Sequence, residues 1–518
     1  MKKDIEAKIN IEKLILFGLE NDLINGLDEM VVRNNLLDTF NLQEPYNKKI
    51  TLKQNFKSIH TILENLSDYA YENGLIKEKN LIEYDLFKTK IISELMPRQS
   101  EINKYFWDLA KEESILKATN WFYELNKNSN YIKENRIRKN MKWKNKTEYG
   151  EFKITINLSK PEKDPKDIKD ERNKKSTDYP TCPLCIENIG YSGRTDYPPR
   201  QNHRIISLNL ANEEWFFQYS PYSYYNEHSI VISKEHQEMN INKKTFIRLI
   251  DFLEIFPHYF IGSNADLPLV GGSILNHNHF QAGRYIFPMD RAEIHDEFIS
   301  KFHPDVEVST LKWPLSVIRL KSMNKSQLID LSNKILCSWR EYNNIDLNIK
   351  SYSFQNNKKV YHNTITPIAR VQKELNQKIY KIDIVLRNNR KSQKYPEGIF
   401  HSHKKFHHIK KENIGLIEVM GLAILPGRLK KELKLVEAYL SQEEKFDSSC
   451  LNEIMDKHRD WIKYLFNNYN FNCRDIESII KKEVTQKFKD ILNNCGVFKN
   501  SREGFEGFKE FLKGIDIV

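Results

Sequence analysis

Residues 271–285, GGSILNHNHFQAGRY, decide how this chain is read. Two glycines expose backbone N–H groups, and a polar alternation follows. On a strand, side chains at i, i+2 and i+4 share a face. His277, His279 and Gln281 are therefore predicted to point one way, with neighbouring Cα atoms about 6.6 Å apart. Asn276, Asn278 and Phe280 face the other side. A lone strand histidine is usually a satisfied structural group. Two in register with a glutamine, behind Gly-Gly, point to a reactive site.

Working outward, Ser229–Ser233 (SIVIS) reads as a short strand ending near His236. Residues 243–256 carry a helical pattern through Phe246, Leu249, Ile250, Leu253 and Phe256, with Asn242 as N-cap and Pro257 as stop. Further on, an apolar strand over Tyr380–Leu386, then Asn388-Asn389, then His401-Ser-His403 repeat the same order of parts. This predicts an internal duplication whose second copy is degenerate. Residues 1 to about 145 repeat apolar positions every three or four residues, as in Phe56, Ile59, Ile62, Leu63, Leu66 and Ile91, Ile92, Leu95, with a break at Pro97. Phe152–Leu158 alternates like a strand, and the charged, Pro-containing run Lys160–Lys175 reads as an exposed loop. The tail is helical again. The expected fold class is α+β, in four stretches: a helical region 1–148, a first α/β half 149–340, a degenerate second half 341–430 and a helical region 431–518.

With 518 residues, 40% hydrophobic and 12% aromatic, the chain has ample core material and is not a disordered polymer. No apolar run approaches the roughly 18 residues of a membrane helix, and Leu14–Leu19 is too short for a signal segment. A cytoplasmic protein is expected. The net charge of +11 is a mild excess that suits phosphate-bearing ligands. No Lys/Arg stripe interleaved with aromatics surrounds the cysteines, so a nucleic-acid partner is not expected.

Of six cysteines, only Cys182 and Cys185 are close, as Cys-Pro-Leu-Cys. A C-x-x-C supplies half of a tetrahedral zinc site, and histidines can complete it. His203, His228, His236 and His277 are the downstream candidates. A redox pair or buried thiols is the rival reading.

CPLC, SIVISKEH and HNHFQ together resemble the galactose-1-phosphate uridylyltransferases of the histidine-triad superfamily. TINLSKPEKDP (155–165), CPLCIENIGYSGR (182–194), EHSIVISKEH (227–236) and HHIKKENIGLIEVMGLAILPGRL (407–429) are similar to its second, Gram-positive-type class. The resemblance implies two histidine-triad-like halves joined to helical terminal regions. It implies His279 as the nucleophile, attacking the α-phosphorus of UDP-glucose and expelling glucose 1-phosphate. Galactose 1-phosphate then takes the uridylyl group from His279. The free ring nitrogen of His279 would donate to the carbonyl of His277. Gln281 stands where the hydrolase branch has a third histidine. Glutamine cannot serve as an acid but can hold a phosphoryl oxygen, which favours transfer. A sugar-phosphate leaving group needs little acid help.

The same resemblance implies diphosphate contacts from Gly271, Gly272 and Ser273, with Ser273 one residue further from the nucleophile than in the first class. It adds Asn264 to the phosphate side and Asn209 to the nucleotide side. Glu418 falls at the hexose position and Lys411 near the sugar phosphate. The implied structural zinc ligands are Cys182, Cys185, His236 and His277, with His228 competing as the third; no organic cofactor is implied. His401, His403, His407 and His408 do not reproduce the first class's second metal site and read as a basic, solvated loop. Family members are homodimers. The alternatives are a histidine-triad nucleotide hydrolase or phosphorylase, and a zinc-containing nucleic-acid binder.

Overall fold

The computed structural model describes residues 2–50, 59–159, 177–272, 274–374, 377–442, 446–448, 451–471 and 475–518. The expected loop over Lys160–Lys175 lies outside the described residues, as does Ser273. The architecture is α+β. It divides into two compact units: Met1–Arg138, Pro161–Ser223 and Glu227–His236; then Lys139–Lys160, Tyr224–Asn226 and Gln237–Val518.

The first unit opens with helices Lys2–Glu20, Glu29–Thr39, His60–Glu72, Leu81–Ser93, Gln99–Glu112, Ile115–Asn128 and Glu134–Ile137. Their apolar stripes form its core: Ile62, Leu63, Leu66, Ile91, Ile92 and Leu95 are all buried. Asn80 and Ser114 cap two of these helices by accepting from the N–H of Glu83 and Lys117. Helix Leu81–Ser93 stops before Pro97, as the sequence predicts. Three antiparallel strands follow: Ile206–Leu210, Glu213–Tyr219 and Ser229–Ser233. The first two join through Ala211 and Asn212, both at positive φ, the backbone of a two-residue hairpin turn. Phe122 packs on Phe217 and Tyr219, and the Tyr219 hydroxyl donates to the Thr119 carbonyl at 3.0 Å.

The second unit begins with the hairpin Met141–Thr147 and Gly150–Ile156. The strand starts ahead of the expected change at Tyr149. Met141, Trp143 and Asn145 alternate half-buried against exposed lysines, and Gly150, at φ +104°, opens the second strand directly after the two-residue turn. Leu422–Leu425 adds a parallel third strand. A larger sheet pairs His279–Gly283, Phe260–Gly262, Asn363–Glu374, Gln377–Asn388, Val317–Ser322, Glu307–Leu311 and Ile294–Ile299 in that spatial order, all antiparallel. Helix Lys243–Ile255 carries its Asn242 cap and ends before Pro257. Helices Leu429–Gln442, Arg459–Asn468, Ile476–Cys495 and Arg502–Lys513 close the chain. One core joins Phe152, Ile154, Trp313, Val385 and Leu416 to Trp461, Phe488 and Leu492 of these helices.

The strand carrying the key histidine is shorter than expected. It begins at His279, not at Gly271-Gly272. The chain ahead of it pairs elsewhere: Met239 N–H donates to the Leu275 carbonyl, and Asn278 N–H to the Gln237 carbonyl. His277 therefore sits just outside the strand. The echo at His401-Ser-His403 has no such strand after it; a short 3-10 turn, Lys404–Phe406, takes its place.

Candidate functional site

Gly262 on the sheet lies opposite Gln281, and Ile261 opposite Ala282, so Phe260–Gly262 sets the register of the histidine strand. His279 is buried, and its Nδ1 lies 2.8 Å from the carbonyl oxygen of His277. A carbonyl only accepts, so Nδ1 carries the proton and Nε2 keeps its lone pair. Burial pulls the His279 pKa down to about 4, with the backbone bond to His277 acting the other way. The imidazole is thus neutral at pH 7, which a nitrogen nucleophile requires. Gln281 is half-buried, and its Oε1 has no protein partner among the described residues.

The loop ahead of this strand needs its glycines. A Cβ at Gly271 would stand 2.3 Å from the Ala265 carbonyl, and one at Gly272 would stand 2.7 Å from Asn264 Nδ2. Asn264 is buried, and its Oδ1 accepts from the Leu416 N–H at 2.9 Å. A Cβ at Gly415 would meet Asn264 Oδ1 at 3.0 Å and Glu418 Oε2 at 3.5 Å. Asn264, Gly272, Gly415 and Glu418 are therefore immediate neighbours, although more than 150 residues separate the first from the last two. Glu418 accepts from Lys410 Nζ at 2.9 Å on one oxygen and from the Gly415 N–H at 3.2 Å on the other. Lys410 is buried and also donates to the Ile424 carbonyl. Lys411, the expected phosphate ligand, is exposed, and its backbone N–H meets Glu412. Sequence reasoning overlooked Lys410. In a Lys-Lys pair at a loop, nothing local says which one turns inward.

In the first unit, Cys182 and Cys185 form a tight knuckle. Their sulfurs are 3.4 Å apart, and Leu184 N–H points at Cys182 Sγ. Asn188 donates to both cysteine carbonyls at 2.8 Å and is itself held by the Tyr197 hydroxyl. Cys185 Sγ lies 3.1 Å from His236 Nδ1. Burial and the neighbouring sulfur push the Cys185 thiol up to about 12. A bound cation reverses that by favouring thiolate. Within this unit the candidate metal ligands among the described residues are Cys182, Cys185 and His236, without His228. Asn209 is exposed on its strand, opposite Glu214.

Three histidines of the 401–408 stretch, His403, His407 and His408, have protein partners. His403 faces the Ile399 carbonyl, and His407 faces the Ser402 carbonyl and Glu397. His408 Nδ1 meets His458 Nδ1 at 2.8 Å, and His458 in turn meets Glu432. They are bonded into the fold rather than solvated, and they do not converge on one point.

An α+β chain that buries an imidazole with one fixed tautomer beside a glycine loop has the parts of a group-transfer enzyme. The family model described as galactose-1-phosphate uridyl transferase, N-terminal domain, matches residues 26–238, and its C-terminal domain matches 252–463. Similar curated proteins, each called galactose-1-phosphate uridylyltransferase, include those of Caldanaerobacter subterraneus subsp. tengcongensis (48% identical, covering 98% of both chains), Clostridium acetobutylicum (48%, covering 97% of this chain and 98% of that one) and Fusobacterium nucleatum (45%, covering 98% of both). No solved structure matches. The chain belongs to the galactose-1-phosphate uridylyltransferase family. No helix among the described residues is long and apolar enough to cross a membrane.

Proposed function

We propose that this protein transfers UMP from UDP-glucose to galactose 1-phosphate through a uridylyl-His279 intermediate, as a nucleotidyltransferase of galactose metabolism. The observation that carries the reading is the Nδ1–H of His279 donating to the His277 carbonyl, which leaves Nε2 free to attack phosphorus. Nε2 forms a bond to the α-phosphorus as the bond to glucose 1-phosphate breaks. A phosphate oxygen of galactose 1-phosphate then displaces Nε2 and leaves as UDP-galactose. Two similar phosphate esters are exchanged, so neither half-reaction runs far uphill.

Gly271, Gly272, Ser273 and Asn264 hold the diphosphate in this reading, and Gln281 supports the transferring phosphoryl group. Glu418 takes the hexose. A carboxylate offers about four acceptor sites, so hydroxyls still have room beside Lys410 and Gly415. Asn209 belongs to the nucleotide side and Lys411 to the approach of the sugar phosphate. Cys182, Cys185, His236 and His277 would hold zinc in a structural role, since four protein ligands would leave no open position for chemistry. The enzyme works in the cytoplasm as a homodimer.

Mixing the purified protein with UDP-glucose and galactose 1-phosphate is expected to yield UDP-galactose and glucose 1-phosphate. Release of UMP without any need for a sugar-phosphate acceptor would instead identify a hydrolase. Gln281→His supplies a proton-transfer group that can activate water against uridylyl-His279. It is expected to raise UDP-glucose hydrolysis about tenfold or more, inside the range that general acid–base catalysis provides. Unchanged hydrolysis would remove Gln281 from that role. For the metal, Asn188→Ala takes away the clamp on both cysteine carbonyls. Zinc affinity, read by competition with a coloured chelator, should fall by about 10- to 100-fold. Equal affinity would show that the knuckle holds its shape without Asn188.

A further inference from the structure

Arg387 is the penultimate residue of the strand Gln377–Asn388 and is fully buried. Its Nη2 donates to the Ile414 carbonyl at 2.9 Å. Its Nε and Nη1 have no protein partner among the described residues, so each edge of the guanidinium keeps an uncommitted nitrogen. The nearby carboxylates already face other cations. Glu418 is paired with Lys410, and Asp266 accepts from Thr364 at 2.5 Å and from Arg340 at 3.0 Å. A buried guanidinium without a counter-charge is costly, and each unmet buried donor adds to that cost.

Two more buried residues close to it in the fold keep an uncommitted polar atom. Thr364 lies directly opposite Arg387, and Thr366 lies opposite Val385, so Thr366 is the diagonal neighbour of Arg387 on the same face. Thr366 is fully buried, and its Oγ1 has no partner. His401 is buried with an unpartnered Nε2, while its Nδ1 faces the Ser402 carbonyl at 3.3 Å. Gly398, at φ +127°, makes room for it, since a Cβ there would stand 2.9 Å from that of His401. Arg387 and His401 meet the same short segment: Arg387 bonds Ile414, and His401 contacts the side chain of Asn413. Asn413 reaches the Gly271 carbonyl at 3.5 Å, which ties this cluster to the loop before His279.

We infer that Arg387, Thr366 and His401 form a buried subsite for a phosphate-class oxyanion that also carries a hydroxyl. Arg387 and Thr366 donate to the anionic oxygens. His401, with Nδ1–H turned to Ser402, accepts the hydroxyl on Nε2. Two sources have this chemistry: the monoester of a sugar phosphate, and free hydrogen phosphate. Assigning the first to the acceptor sugar phosphate rests on the transfer reading above; the anion subsite itself does not.

The test is calorimetric titration of the full chain with inorganic phosphate and, separately, galactose 1-phosphate. Wild type is expected to bind phosphate. Arg387→Lys keeps the charge and loses one edge, and should weaken binding at least about tenfold. Thr366→Val keeps volume and strand preference, and should weaken it severalfold. His401→Gln should weaken galactose 1-phosphate or hydrogen phosphate likewise. If wild type binds neither ligand, or if Arg387→Lys and Thr366→Val bind as wild type does, the subsite is overturned. Competition between the two ligands, with KM for galactose 1-phosphate raised in Thr366→Val, identifies the sugar phosphate as occupant. Phosphate binding without competition identifies free phosphate. Uridylylation of the protein by UDP-glucose alone, followed by mass, reports on the transfer reading separately. Its absence leaves the phosphate titration standing.

Discussion

His279→Asn is expected to lose at least about 10⁴-fold in turnover and to form no uridylyl-protein with UDP-glucose, measured by intact mass. The reason is local. Asn can still donate to the His277 carbonyl from its amide, so the loop and strand keep their geometry. An amide nitrogen has no lone pair available for phosphorus, so the covalent step is lost. Burial already holds the wild-type imidazole neutral, with its pKa near 4. Wild-type uridylylation should therefore not speed up as the pH is raised above 7, because no proton blocks Nε2 there. His277→Asn provides the contrast. Its backbone carbonyl still orients His279, so the uridylyl-protein should still form, while zinc content falls. Full activity in His279→Asn would assign the nucleophile to another residue.

The second large effect is structural. Asp383 and Arg319 lie directly opposite on neighbouring strands and pair through two bonds, Nε to Oδ1 at 2.7 Å and Nη2 to Oδ2 at 2.8 Å. Both are almost fully buried. Burial opposes the Asp383 charge, but Arg319 outweighs it, and the carboxyl sits below its usual range. Beside them Asp290 pairs with Arg370 at 2.6 Å and lies 3.6 Å from Lys381. Asp383→Ala leaves Arg319 buried without its partner and should cost about 3–5 kcal/mol of stability. The urea midpoint, followed by intrinsic fluorescence, reads this directly. Replacing both partners, as Arg319→Met with Asp383→Leu, should recover most of the loss, because desolvating the pair offsets much of its attraction. A double variant no better than Asp383→Ala would mean that the pair itself, rather than the orphaned charge, supports the sheet.

Periodicity was enough to find the elements. The 3.6-residue stripe through Ile62, Leu63 and Leu66, the strand Ser229–Ser233 and the Asn242-capped helix all follow from local backbone preference and burial. Alternation predicts too long a strand around His279, because it does not reveal that residues 275 and 278 pair with Met239 and Gln237. The C-x-x-C is a local signal, and its turn is local too: the Cys185 N–H donates to the Cys182 carbonyl, with the sulfurs 3.4 Å apart. The choice of His236 over His228 was not local. It depends on which imidazole the fold brings to Cys185.

The sequence by itself determined the class of enzyme, the elements that periodicity marks, and the glycines of the loop before His279, which leave no room for a Cβ. Each depends on residue types within a few positions of one another. Only the tertiary structure decided that Lys410 rather than Lys411 meets Glu418, that Asn264 bonds Leu416, and that Arg387, Thr366 and His401 keep uncommitted atoms inside the fold. The physical reason is separation along the chain. Contacts across more than a hundred residues are set by how strands register and which face is buried, and the local pattern carries no record of either.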